Sequence, residues 1–534
     1  MEDSAVGGAS DGGDPSSSDH PQGGDGGREQ RPEVVVISER GDVVLDVTFQ
    51  NSKETIRSAR KVAAAVVQPR HRGDPPQQPL PVPKARVRIA FRVELAVLRR
   101  QSKYFDKLLG DSRFKEANDI ADALAALSLK NVTPGDADPA DLPWIAIHDD
   151  DEATAYAYRE LAFADLLRIL HGSDAKTAQT QITMSFVTAL AVLADRFDCA
   201  AAVSKYVATS LKFKWPVTSR IKSVRDDGGA GFSGMSRANE NVLRQKILVS
   251  WLLNQPGKFQ AATRELIMNG SCQWSSFGEE EDESTSATWW YLQDGLEQEL
   301  QYRRNSVLNT LASVPRHFLS LYTSSRSARQ CKLGYDSSVA CDSYQLGEMF
   351  KFLVNKGLLF PTDFSPASID ALMGVAANNN KNNNNNSNNS NPALHMLPVD
   401  HILATLRQCP AYQIDKNHTN CGLRTRLLPI LDFIQALLSA NSIPVSRAAW
   451  KNHRAAHAWM PMGDVDGKMH WNGDGDERPF RFTRSLAGDQ RLRYENAMGA
   501  DKFARDVFTA TSWDWTAEDQ GPDHISTTPR WSFK

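Results

Sequence analysis

Apolar and polar residues alternate in two short stretches near the start of the chain. Val43, Leu45, Val47 and Phe49 alternate with Asp42, Val44, Asp46 and Thr48, the period of two that a half-buried strand requires. Val87, Ile89 and Phe91 alternate with Arg86, Arg88 and Ala90 in the same way and predict a second strand. Beyond Phe91 the period lengthens to about 3.6. Val93, Val97, Leu98, Phe105, Leu108 and Leu109 then fall on the buried faces of two short helices. Ser102 stands between them with a hydroxyl suited to capping the second helix, which starts near Lys103. A third strand is expected over Trp144 to His148, and helices over Tyr158 to Gly172 and Phe186 to Leu211. Ahead of all these, Val34 to Ile37 predicts a short apolar strand whose sheet edge a second copy of the chain could cover.

The signature within this pattern is Phe91-x-Val93, Leu98, then Ser102-x-Tyr104-Phe105, followed much later by Ala194-Asp195-Arg196-Phe197. It resembles that of BTB/POZ domains, in which a small sheet is flanked by helices and a helical hairpin follows the second strand. Glu94 stands where many members of that family carry a histidine, which puts pairing habits drawn from metazoan members in doubt. The resemblance spans residues 33–213 and implies an interaction module without catalysis. It names Phe91, Val93, Leu98, Ser102, Tyr104, Phe105, Asp195, Arg196 and Phe197 as the candidate interaction surface. It also allows the role of a substrate adaptor for a cullin-type ubiquitin ligase, whose scaffold would meet the surface around residues 105–110 and 196–199.

Two insertions interrupt the domain. Residues 60–84 carry Pro69, Pro75, Pro76, Pro79, Pro81 and Pro83, which a sheet interior rejects, so an extended loop is expected. Residues 112–142 hold an alanine-rich and aspartate-rich run with prolines and are expected to be mobile surface. Residues 1–32 are polar and glycine-rich and should be disordered, and 214–240 reads as a linker. Helical spacing returns over Val242 to Leu253 and Lys258 to Met268. Thr263 and Arg264 there resemble the close of a helical extension found in filamentous-fungal BTB proteins, taken to cover 241–330. A further helical stretch runs from Tyr291 to Tyr322. The run Glu279 to Glu283 reads as a solvated loop, and Asn378 to Asn391 as a flexible spacer within a helical region at 331–460. Residues 461–534 form a polar, tryptophan-bearing tail; Trp450, Trp459, Trp471, Trp513, Trp515 and Trp531 are expected to anchor it and its approach to the body, the alternative being that they mark a binding surface. The fold class expected is α+β, a small sheet flanked by helices followed by a mainly α-helical region.

Composition sets the bounds around this picture. A chain of 534 residues with 41% hydrophobic and 23% charged residues fits a globular protein of two or three folded units. The net charge of -3 argues against general affinity for nucleic acid or acidic membranes. No apolar run approaches the roughly 20 residues of a membrane span, and the first residues have no apolar core of a targeting peptide. A cytoplasmic or nuclear location is therefore expected, with six reduced cysteines. Asn131, Asn269 and Asn417 would then be silent as glycosylation triplets.

Candidate chemistry is confined to the C-terminal half. His418 and Cys421 are two residues apart, so that one turn offers both side chains to an ion, and Gly422 follows. Cys331 and Cys341 would complete a closed, structural zinc site of the Cys3His kind; the alternative is a set of buried thiols and a surface histidine. No Gly-x-Ser-x-Gly, His-Glu-x-x-His, Walker A or dinucleotide fingerprint occurs. The glycines at 228, 229, 231 and 234 do not follow a strand. Asp149, Asp150 and Asp151 read as a polar turn before a helix rather than a cation site. The expectation is an interaction protein with no cofactor other than structural zinc, with protein partners that include a second copy of itself. Two alternatives stand beside it. A transcription-associated regulator would need a DNA-reading module, and none is visible. A metalloenzyme would need one metal position left open to substrate.

Overall fold

The computed structural model describes residues 32–66, 82–176, 182–211, 213–218, 235–270, 295–324, 329–331, 333, 335–359, 397–418, 421–439, 442–461, 479–489 and 500–516. The expected disordered N-terminus, the acidic run, the Asn tract, most of the proline-rich insertion, Trp471 and Trp531 lie outside them.

The chain is mixed α and β. Four strands, β1 (Val34–Val36), β2 (Val43–Gln50), β3 (Arg86–Val93) and β4 (Trp144–Asp149), form one sheet in the order β1-β3-β2-β4. β2 and β3 pair antiparallel with Leu45 opposite Phe91, while β1 runs parallel to β3 and β4 parallel to β2. The apolar N-terminal strand thus pairs within its own chain and forms the sheet edge. Helix α1 (Lys53–Val66) occupies the start of the expected proline-rich loop. After β3 come α2 (Leu95–Gln101), α3 (Lys103–Gly110) and α4 (Lys115–Leu129), and after β4 come α5 (Arg159–Leu170), α6 (Met184–Arg196) and α7 (Ala200–Thr209).

Val43, Leu45, Val47 and Phe49 are fully buried against Leu98, Phe105, Phe163, Leu190 and Phe197 of these helices. The sheet is not half-buried, however. Val44 and Ala90 on its other face are covered by Leu127, Ala137 and Leu142. Here the structure corrects the expectation of mobile surface at 112–142: Ala117, Ile120 and Leu127 recur on one face of α4 and are buried. Alanine and leucine have high intrinsic helix propensity, and the apolar stripe among the aspartates gives that helix a face to bury.

Buried polar groups fasten the same unit. Ser102 caps α3 by accepting from the Phe105 N–H at 3.1 Å, and its hydroxyl donates to the Phe197 carbonyl at 2.5 Å. Asp149 accepts from Arg159 and from Arg196, each at 2.6 Å, and Arg159 also reaches the Asn51 side chain and the Gln50 carbonyl. The aspartate expected in a polar turn is thus the buried last residue of β4 and a structural tie. Glu94 accepts from the Ser38 hydroxyl while its N–H donates to His171 Nε2.

The second unit is helical: α8 (Arg237–Leu252), α9 (Pro256–Asn269), α10 (Leu296–Thr323), α11 (Ser338–Asn355), α12 (Val399–Arg407), α13 (Leu423–Ser439) and α14 (Arg447–His457). β5 (Pro479–Arg481), α15 (Arg484–Ala487), α16 (Ala500–Phe508) and β6 (Ser512–Asp514) complete it, β5 and β6 pairing parallel. α10, 28 residues long, spans about 42 Å and is the spine of this core. Trp450, Trp459 and Trp515 are buried in it, and Trp515 donates to Ser313 at 2.8 Å, so these tryptophans anchor the C-terminal segment as expected. α8 belongs to both cores: Val249 and Leu253 pack with the first, Leu243, Ile247 and Trp251 with the second. Phe213 and Trp215 also pack on the first core, so the expected linker is seated at its start. No helix among the described residues is long and apolar enough to cross a membrane.

Candidate metal centre

Three sulfur atoms converge where α11 meets the segment before α13. Cys331 lies ahead of α11, Cys341 in its first turn and Cys421 two residues before α13. Their Sγ atoms all lie within 4.8 Å of one another, and those of Cys331 and Cys421 are 3.7 Å apart. Thiolates about 2.3 Å from a tetrahedral zinc ion would sit about 3.8 Å from each other, so the spacing suits that ion. Cys331 and Cys341 are buried and Cys421 is partly so.

His418 adjoins them. Its ring is fully buried; Nδ1 lies 2.9 Å from an Asp415 carboxylate oxygen and Nε2 lies 3.3 Å from the hydroxyl of Ser337. With the proton on Nδ1, donated to Asp415, the Nε2 lone pair is left to accept from the Ser337 hydroxyl. A carboxylate behind a histidine in this manner fixes tautomer and ring orientation in metal sites. Asp415 is itself pinned by the N–H groups of Asn417 at 2.7 Å and His418 at 3.2 Å. Its hydrogen bond holds the His418 imidazole above the ordinary histidine range, and the same bond keeps the Asp415 carboxyl low.

The thiols compete for ionisation. Burial, then the charges of its two thiol neighbours, pushes Cys341 up to about 12, and Cys421 is raised by burial and by its bond with Cys331. Cys331 goes the other way: against burial, hydrogen bonds with Ser338 and the Leu333 N–H draw it down. Crowded thiolates repel unless a cation neutralises them, and a divalent ion would take all three as thiolates.

The surrounding scaffold holds the donors in place. Asp342 accepts from the N–H groups of Gln330 and Cys331, at 2.9 and 2.8 Å. Gln345 donates to the Tyr412 carbonyl and accepts from the Leu423 N–H, joining α11 to both ends of the knuckle. Gly422 is required by close approach: a Cβ there would lie 2.9 Å from the Tyr412 carbonyl oxygen. Of the four residues singled out by spacing, the sulfurs of Cys331, Cys341 and Cys421 are brought into one cluster, while His418 adjoins it through Ser337 and stands outside that group of mutually close donors. Cys409 is buried apart, with its sulfur near the Pro410 carbonyl. Asp415, Asp342 and Gln345 were missed; only the Asp-x-x-His spacing of the first offered a local signal.

The candidate interaction surface fares differently. Phe91, Val93, Leu98, Ser102, Phe105 and Phe197 are buried, so they build the fold and meet no partner; this corrects their assignment to a surface. Leu109 and Cys199, within the two stretches assigned to a scaffold, are buried as well. Tyr104, Asp195 and Arg196 are exposed. The Tyr104 ring, 39% exposed, packs edge-on to Phe197 at 5.3 Å, which sets the outer face of α3 beside the end of α6. Lys103, Asp106, Lys107 and Asp198 are exposed on the same two segments. No family model, curated protein or solved structure matches the chain.

Proposed function

We propose that the chain is a non-catalytic interaction protein of the BTB/POZ kind, docking a protein partner on the surface shared by α3 and the end of α6, and that zinc at Cys331, Cys341, Cys421 and His418 closes its helical half. The observation that carries the docking reading is the helical hairpin after β3, pinned through Ser102 to Phe197 so that Tyr104 and Lys107 face outward beside Arg196. A half-exposed tyrosine beside an arginine is the pair of residue types enriched at interface hot spots. A cullin-type scaffold is the partner class the resemblance suggests, and a second copy of the chain is the alternative occupant. The zinc reading rests on three clustered sulfurs with His418 adjoining them; a shift of that ring onto the ion would complete a tetrahedral shell, leave no position for substrate and give the metal a structural role.

The test is affinity purification of the full chain beside the double variant Tyr104→Ala, Lys107→Glu, with metal analysis of both. Both positions are exposed, so folding should survive. A protein partner recovered at stoichiometric yield with the parent and lost from the variant supports the docking reading; identical partners with both sinks it. Sedimentation distinguishes self-association from capture of another protein. Metal content far below one zinc per chain in both would end the zinc reading alone.

A further inference from the structure

The zinc reading treats the three sulfurs alike, but the structure does not. Cys341 is fully buried within a helix. Cys421 is the one sulfur of the cluster with partial access to solvent, and Cys331 lies 3.7 Å from it as its hydrogen-bond partner. Closing that gap to a disulfide requires a contraction of about 1.7 Å. Both residues sit on non-helical segments, ahead of α11 and of α13, which can move without unwinding a helix.

We propose that Cys331 and Cys421 form an oxidant-responsive disulfide site, with hydrogen peroxide or an organic hydroperoxide as the oxidant. The Cys421 thiolate attacks one peroxide oxygen, forming an S–O bond and releasing hydroxide, or the alkoxide from an organic peroxide. Cys331 thiolate then attacks the Cys421 sulfur, the S–S bond forms, and a second hydroxide leaves. Two thiolates are thereby oxidised by two electrons and the peroxide is reduced. The proposal rests on the metal reading in one respect: once two of four donors are consumed, Cys341 and His418 alone cannot hold a tetrahedral ion, and zinc is released. The new bond joins the same two segments that the metal joined, so one cross-link replaces another.

The experiment treats the purified full chain with hydrogen peroxide. It maps disulfides by mass spectrometry of unreduced peptides while a chromogenic chelator follows zinc. The expected result is a peptide linking Cys331 to Cys421, appearing in step with zinc release and removed by a thiol reductant. Cys341→Ser should still form the link, whereas Cys331→Ser and Cys421→Ser should not. Because a variant can misfold, the mapping on the unsubstituted chain decides. Sulfinic acid at Cys421 without the link, or a link from Cys421 to Cys341, overturns the proposal. If the chain carries no zinc yet the link forms, the metal reading fails and the disulfide site stands; zinc release without the link is the converse.

Discussion

The two cores of this protein are held by different means. In the N-terminal unit four strands exchange hydrogen bonds across one sheet and apolar side chains pack on both its faces, while Arg92 and Arg159 answer carbonyls at the sheet's ends. In the C-terminal unit the chain repeatedly crosses between helices through irregular segments, and buried arginines answer the carbonyls those segments leave. Arg303 donates to the Ile443, Pro444 and His457 carbonyls and pairs with Glu299, which in turn accepts from the Trp459 N–H. Arg304 reaches Ile267 and Leu397, Arg264 reaches Leu438, and Arg424 reaches Arg407 and Cys409. A buried carbonyl left unpaired costs about 1–3 kcal/mol, so each of these guanidiniums holds a crossing segment in place. The sheet unit relies mainly on volume and pattern with arginine ties at its ends; the helical unit relies on long side chains throughout its crossings.

The sharpest contrast should come from removing one keystone of each kind. Arg303→Ala leaves Glu299 buried without its partner and is expected to cost about 3–5 kcal/mol. Phe105→Ala should cost a similar amount through the cavity it opens in the sheet unit. Hydrogen exchange mapped by segment should place the first loss of protection around 443–460 and the second around 43–110. Loss spread evenly over the chain in both variants would break the distinction.

Weaker, and confined to the metal knuckle, is the effect of Asp415→Asn. Zinc affinity measured by chelator competition should fall about 10–100-fold, with the cysteine-to-metal absorption of the cobalt-substituted protein retained. The same competition should weaken as pH falls. Metal binding requires a neutral imidazole and ionised thiols; the raised His418 value means that proton competition starts above the ordinary histidine range. His418→Ala should lessen that pH dependence; an identical dependence in the parent and the variant would show that His418 is no ligand. Smallest is Ser102→Ala, which removes a helix cap and its donation to Phe197 for about 1–2 kcal/mol. That loss should appear in denaturant unfolding without changing zinc content.

The same contrast explains what could be read from the residues alone. β2, β3, β4 and the α2–α3 hairpin announce themselves by period, because the face of each element packed on the main core leaves its spacing in neighbouring positions. Burial of Val44 and Ala90 was hidden, since α4 and the loop after it come from a remote segment that covers them only in three dimensions. The metal donors were legible in part: His418 and Cys421 share a turn, but the tie through Gln345 exists only once α11 is docked. The residues taken for a docking surface were mostly core. A recognisable string such as Phe91-x-Val93 or Ser-x-Tyr-Phe records how a fold packs, and Tyr104 alone of those five faces outward. Arg303 showed only its i,i+4 spacing to Glu299, because the carbonyls it answers stand 140 to 154 residues away along the chain.

The double allegiance of α8 has a practical sequel for anyone dissecting the molecule. A fragment ending at residue 213 would lack Val249 and Leu253, leaving an oily scar on the sheet unit where they had lain. The complementary piece starting at 237 would carry that helix with half its stripe facing water. Both halves should therefore prove sticky when severed, and apparent binding by either should be checked against the uncut polypeptide.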